Sequence, residues 1–264
     1  MKKQLDFWAR VAYSLEVIMN YETFLKEKNS LSLEQNVSRE TFLRLESYVT
    51  MLKNASFNLI SAGDGDQIWE RHIFDSIQLY PYFSKGSVCD FGSGAGFPGI
   101  VLSALGIAPL TLVESIGKKA EFLQNVSRET FLDYKVICDR VENSTEKFDF
   151  ITARAVASLK KLLQLTEPIR THDTVCVFPK GKKYQEEIED ARREFSFDVE
   201  VHQSVTHTEG KILVLRNVRQ QRCEGKNIGV KGAKVKDSTL EGSKENHAKM
   251  ENFRGKDAKV KDVK

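Results

Sequence analysis

The sequence predicts an α/β fold: a mostly parallel seven-stranded sheet that closes with an antiparallel hairpin and is preceded by a helical extension. Three observations predict it. From residue 88 onward, short apolar or β-branched runs alternate with helical stretches, as in parallel strands covered on both faces. The last two runs, residues 197–205 and 211–218, are joined only by a short turn containing Glu209 and Gly210, so they must pair antiparallel. Residues 1–65 instead carry apolar positions at three- and four-residue steps.

In that helical extension, Leu15, Ile18 and Met19 form one stripe, and Phe42, Leu45, Tyr48, Val49 and Leu52 form another. Ser38, followed by Glu40 and Thr41, supplies a helix start for the second. The sheet domain, residues 66–218, then offers strands at Val88 to Phe91, Leu110 to Val113, Val136 to Val141, Phe148 to Thr152 and Val175 to Phe178, followed by the hairpin. Beyond Val218 the periodicity stops, and residues 219–264 read as a basic, disordered tail too poor in apolar groups to offset its ordering entropy. The segment Gln-Asn-Val-Ser-Arg-Glu-Thr-Phe-Leu occurs twice, at 35–43 and 124–132, with no evident physical reason.

The 264 residues carry a formal net charge of +3, but the charge is divided. Residues 217–264 hold 13 Lys and Arg against 7 Asp and Glu, so the remainder is net acidic and any polyanion must be gripped by a local patch. Cys89, Cys138, Cys176 and Cys223 match no metal-ligand spacing, and the first three fall in predicted strands, as free cysteines of a reducing compartment do. No metal site is expected. The charged start lacks a signal-peptide core and no apolar run approaches the roughly 20 residues of a membrane helix, so a cytoplasmic protein is expected.

The chemistry concentrates in Val88-Cys-Asp-Phe-Gly-Ser-Gly-Ala-Gly-Phe-Pro-Gly-Ile100, a strand running through a four-glycine loop into a helix. Glycines let the backbone approach a ligand, and the helix start presents free N–H groups. Gly94-x-Gly96-x-x-Gly99 also satisfies the dinucleotide fingerprint, with Glu114 twenty residues after Gly94. Two features favour S-adenosylmethionine instead: Asp90 ends the strand before the glycines, and no Tyr-x-x-x-Lys pair serves hydride chemistry. Asp90 suits the methionyl ammonium and Glu114 the ribose hydroxyls. A nicotinamide oxidoreductase and a non-catalytic RNA-binding protein with a vestigial pocket remain the rival classes.

The chain resembles the RsmG (GidB) family of bacterial 16S rRNA guanine-N7 methyltransferases over roughly residues 36–216. The resemblance rests on Asn58-Leu-Ile-Ser61, Trp69-Glu-Arg-His-Ile-Phe-Asp-Ser76, the glycine loop, Val113-Glu-Ser-Ile-Gly-Lys-Lys119, Arg140-Val-Glu142, Ala153-Arg-Ala-Val-Ala157 and Pro179-Lys-Gly181. It implies a class I methyltransferase (Rossmann-like) fold and S-adenosyl-L-methionine as cofactor. Contacts to that cofactor are implied for Gly92, Phe97, Val141, Glu142 and Arg154, beside Asp90, Ser93, Gly94, Gly96 and Glu114 of the loop and second strand. Asn143 stands where the family often has a second acid. The tail has no counterpart.

Other readings of these residues stay open. Glu142 and Arg154 could form a mutual salt bridge, and Arg71 and His72 could be helix surface, since a lone histidine is more often scaffold than catalyst. Lys118, Lys119, Lys180, Lys182 and Lys183 are expected to cluster near the cofactor mouth and, with Arg71 and His72, to bind RNA phosphates. The partner expected is 16S rRNA, bare or within a small-subunit particle. Because N7 of guanine already carries a lone pair, no catalytic base is expected, only positioning.

Overall fold

The computed structural model describes residues 21–33, 37–61, 67–221 and 236–237. The stripe of Leu15, Ile18 and Met19, Cys223 and nearly all of the tail lie outside these residues. Among the described residues the first elements are helix α1 (Tyr21–Ser30) and helix α2 (Arg39–Lys53), and Ser38 caps α2 as expected, its Oγ accepting from Thr41 N at 3.1 Å. A π-wound segment, Trp69–Phe74, runs into a single turn, α3 (Asp75–Ile77). The α/β unit follows as β1 (Val88–Phe91), α4 (Gly99–Ala104), β2 (Leu110–Val113), α5 (Gly117–Thr130), β3 (Lys135–Ile137) and β4 (Phe148–Thr152). It ends with α6 (Leu159–Leu165), β5 (Arg170–Lys180), α7 (Tyr184–Ala191), β6 (Phe195–Gln203) and β7 (Lys211–Gln220).

The sheet order is β3-β2-β1-β4-β5-β7-β6, with β3 to β5 parallel and the β6–β7 hairpin antiparallel. An eighth two-residue strand, β8 (Lys236–Asp237), pairs with β6 at the edge, so the predicted seven strands gain one from within the tail. Successive strand residues alternate between two cores. Val88, Val175 and Val177 face the core that includes Phe24, Phe42, Leu45 and Tyr48, whereas Cys89, Cys176 and Phe178 face the one that includes Leu162, Leu163 and Ile188. The continuous apolar runs of β1 and β5 follow from this two-sided burial. Helices α1 and α2 thus pack into the same core as one face of the sheet.

Several strand boundaries differ from expectation, β6 running from Phe195 to Gln203 where residues 197–205 are expected and β7 continuing to Gln220. β3 stops at Ile137 because the Asp139 carboxylate accepts from Arg140 N and Asn143 Nδ2, both at 2.7 Å, a local side-chain turn that competes with the ladder. Cys138 is therefore exposed past the strand end and not in a strand interior, while Cys89 and Cys176 are buried; all three thiols are free. β5 begins at Arg170, five residues before the apolar run that signals it. The repeated nonapeptide has opposite fates: its first copy starts α2, and its second ends α5, where Phe131 adopts φ +55°. The copies are neighbours, for Arg44 beside the first donates to the Phe131 carbonyl at 3.5 Å.

Among the described residues, no helix is long and apolar enough to cross a membrane.

Candidate active site

Strand order reverses between β1 and β4, and open α/β sheets bind ligands at the carboxyl ends of strands flanking such a point. The glycine loop leaves β1 there, and Arg154 follows β4, with Asp90 and Thr152 in register across the two strands.

The loop is tied down by its own strand and by β2 beside it. Ser93 Oγ donates to the Asp90 carbonyl at 2.7 Å, and Gly92 N donates to Val113 O at 2.8 Å. Gly92 at φ +62° and Gly96 at φ +110° have no room for a side chain: a Cβ would lie 2.6 Å from Val156 in the first case and 2.3 Å from Ile100 in the second. Gly94, at φ +57°, is different. Its nearest neighbour to an added Cβ is the Gly92 carbonyl at 3.8 Å, so it faces open space. From the extension, the buried Tyr48 hydroxyl donates to Ala95 O at 2.7 Å, a contact the helical periodicity did not suggest.

Asp90 is fully buried. Its Oδ2 accepts from Gly99 N at 3.0 Å, while Oδ1 has no hydrogen-bond partner among the described residues. Burial pushes its carboxyl up to about 7 against the pull of Gly99 N and Arg154. A buried acceptor left open beside a glycine cradle fits a cationic ligand group. Glu114 is also buried, and its two oxygens accept from Gly94 N and Ile116 N, each at 2.8 Å. It therefore shapes the loop directly, with one further acceptor direction left on each oxygen. Ile116 beside it is half exposed, an apolar surface the sequence reading passed over.

Arg154 does not pair with Glu142, which lies near Arg140 at 3.9 Å. Its Nη1 reaches Asp75 Oδ2 at 3.2 Å and Arg71 O at 3.1 Å, Nη2 donates to His72 Nδ1 at 3.0 Å, and the guanidinium lies 4.9 Å over the Phe97 ring. His72 stacks on that same ring at 4.9 Å, and Phe97 itself is buried. An arginine is always a donor, so His72 Nδ1 is an acceptor here and the imidazole holds Arg154 in place. Asp75 Oδ1 in turn accepts from Gln78 Nε2 and Thr206 Oγ1, both at 2.7 Å, and Gln78 Oε1 accepts from Val205 N at 2.9 Å. The π-wound segment is thereby fastened to β4 on one side and to the β6–β7 turn on the other. Asp75, Gln78 and Thr206 were not among the predicted site residues.

The predicted lysines fall on two flanks. Lys118 and Lys119 open α5 after β2, whereas Lys180 ends β5 and Lys182 and Lys183 follow it, three strand spacings or roughly 14 Å away. Lys180 is committed internally, to Glu187 at 2.8 Å and Ala157 O at 2.7 Å, while Lys182 is exposed. Arg71 is exposed on the π-wound segment. The Val141 side chain is buried in the core, and Asn143 is bound to Asp139. A cavity of about 540 Å³ opens beside Arg154, lined by Lys180 to Lys182 on one side and His207 to Lys211 on the other. No group of residues suited to a metal ion occurs among the described residues.

The family model for rRNA small subunit methyltransferase G matches residues 42–218. The chain belongs to this family. It is similar to the Ribosomal RNA small subunit methyltransferase G of Orientia tsutsugamushi (strain Boryong), 40% identical over 190 residues that cover 70% of this chain and 96% of that one. The protein of the same description from Rhodospirillum centenum is 39% identical over 69% of this chain and 87% of that one. Among solved structures, the ribosomal protein L11 methylase of Lactobacillus delbrueckii subsp. bulgaricus has a TM-score of 0.47 at 16% identity, over 56% of this chain and 79% of that one. As a member of the methyltransferase G family, the chain is an S-adenosylmethionine-dependent methyltransferase.

Proposed function

We propose that this protein methylates N7 of a guanine in 16S rRNA, within the small ribosomal subunit or its precursor, in the cytoplasm. The observation that carries this is the adjacency of two spaces at the switch point: the glycine cradle after β1 and the cavity after β4 and β5, with Arg154 between them. When bound, S-adenosylmethionine supplies a methyl on a sulfonium, which a guanine N7 lone pair takes without losing a proton.

In this reading Asp90 receives the methionyl ammonium at Oδ1, and Gly92, Ser93, Gly94 and Gly96 shape the cradle floor. Glu114 offers its remaining acceptor directions to the ribose, Ile116 offers the adenine an apolar face, and Val141 and Glu142 close that end. Phe97 and Arg154 form the partition toward the target. Catalysis then rests on holding the base in line at about 3 to 3.5 Å with water excluded. Lys182 and Arg71 on one flank and Lys118 and Lys119 on the other supply phosphate contacts, with His72 and Lys180 acting through the residues they hold. Residues 1–65 serve as an extension that braces the loop through Tyr48, residues 66–218 as the catalytic domain and residues 219–264 as an appended basic tail.

Hydrolysis of RNA labelled from S-adenosylmethionine tests the assignment: the label is expected in 7-methylguanine, and label in any other base or in protein overturns it. The buried Asp90 adds a pH signature. Its folded carboxyl titrates near 7, above the ordinary 3.8, so its charge lowers stability progressively as pH rises from about 4 through 7. A ligand ammonium favours the charged form. Affinity for S-adenosylhomocysteine is expected to rise between pH 6 and 7.5, as the Asp90 carboxyl ionises while the ligand's α-amino group stays protonated. Calorimetric titration of wild type and Asp90→Asn checks this; a rise of equal slope in the variant contradicts the role given to Asp90.

A further inference from the structure

N7 alone does not identify a guanine, because adenine carries the same acceptor at the same place. What separates the two is O6 in place of the 6-amino group beside N7 and, on the opposite edge, the N1–H and N2–H₂ donors that guanine presents and adenine does not. A site that reads that opposite edge needs an acceptor on the wall facing away from the methyl donor, and a carboxylate can take both donors at once.

The cavity beside Arg154 is large enough for a nucleotide, within the roughly 300 to 1,000 Å³ of small-molecule sites. Its far wall is the β6–β7 turn. β7 stands three strands from β1 in the sheet order, so that wall lies roughly 14 Å from the glycine loop. A purine entering with N7 toward Arg154 and the cradle turns its N1 and N2 edge toward this turn.

Three carboxylates line the cavity: Asp75, Glu187 and Glu209. Asp75 is engaged on both oxygens by Arg154, Gln78 and Thr206. Glu187 Oε2 holds both Lys180, at 2.8 Å, and Leu159 N, at 2.7 Å. Glu209 is exposed and makes no hydrogen bond or ion pair among the described residues. Its turn is nevertheless held in place, since Gln203 Nε2 lies among the carbonyls of Ser204, His207, Thr208 and Gly210 at 3.0 to 3.2 Å with two hydrogens to share between them, and Gln78 and Asp75 grip Val205 and Thr206. Lys182 on the rim is exposed and placed for the nucleotide's phosphate, while the Lys211 ammonium is held by Gln203 Oε1 at 2.6 Å.

We propose that Glu209 reads the N1–H and N2–H₂ edge of the target guanine from the β6–β7 turn, making that turn the specificity element of the target cavity. This rests on the guanine reading above. The experiment measures kcat/KM for methyl transfer by the full chain to small subunits reconstituted on rRNA carrying, at the methylated position, either guanosine or inosine, which lacks only the 2-amino group. Wild type is expected to lose about 10-fold or more on inosine, the range for a hydrogen bond to a charged group. Glu209→Gln is expected to lose about as much on guanosine and little further on inosine, the non-additivity of two groups in contact. Equal losses by the variant on both RNAs, or no loss on either, overturn the assignment to Glu209 while the guanine reading stands. Absence of guanine methylation by wild type overturns both.

Discussion

Gly94→Val is expected to abolish binding of S-adenosylmethionine and S-adenosylhomocysteine, a loss of at least about 100-fold in affinity, while the protein stays folded. The backbone at Gly94 has φ +57°, a conformation that disfavours L residues by about 1 to 2 kcal/mol and β-branched ones most. That strain is small against the 5 to 15 kcal/mol typical of a domain, so the fold survives. An added Cβ meets only the Gly92 carbonyl at 3.8 Å, so the new side chain starts into the open space the ligand needs. The same change at Gly96 would collide with Ile100 and the Tyr48 hydroxyl and confound binding with folding. Thermal unfolding with and without S-adenosylhomocysteine separates the two effects: wild type gains stability with ligand concentration and Gly94→Val does not. Ligand stabilisation of the variant equal to wild type would place the cofactor elsewhere.

Arg154→Ala is expected to lower kcat/KM by about 100-fold and stability by about 2 to 3 kcal/mol. The guanidinium and the Asp75 carboxylate are both largely buried, 18% and 11% exposed at the side chain. Removing the cation leaves that carboxylate without its charge partner in a partly dry setting, a more damaging change than deleting both. It also strips the cover from Phe97 and the donor from His72 Nδ1, so the partition between cradle and cavity loosens. Arg154→Lys retains the charge but cannot bridge Asp75, His72 and the Arg71 carbonyl with one point donor, and should recover stability more than activity. Urea unfolding at constant m-value together with steady-state kinetics checks both. Wild-type stability and kcat/KM in Arg154→Ala would refute the bridging role.

The parts of the site legible in the sequence are those built from neighbours along the chain. The strand, glycine loop and helix from Val88 to Ile100 are specified locally, by an apolar run, backbone freedom at four positions and renewed apolar periodicity. The β6–β7 hairpin is likewise marked by two strand patterns with no room for a helix between them. What escaped notice joins distant segments. The Arg154–Asp75 pair spans 79 positions and the Thr206–Asp75 bond 131, and no residue type or spacing announces such a partner. Lys180 looked like a surface cation because its partner Glu187 becomes a neighbour only once α7 folds back on β5. Tyr48 looked like part of an apolar stripe, and its ring is; only its hydroxyl reaches the loop. The nonapeptide repeat shows the same limit, since identical residues start one helix and end another.

The most direct test of the central claim is transfer of labelled methyl from S-adenosylmethionine by the full chain to small and large ribosomal subunits, and to bare 16S rRNA. The RNAs come from a bacterium lacking its own copy of this enzyme, and the label is mapped to nucleotide resolution. One 7-methylguanine in the small-subunit RNA, and none in the large, is the predicted result. Label on the large subunit alone, or none on any RNA from a protein that binds S-adenosylhomocysteine, would contradict it.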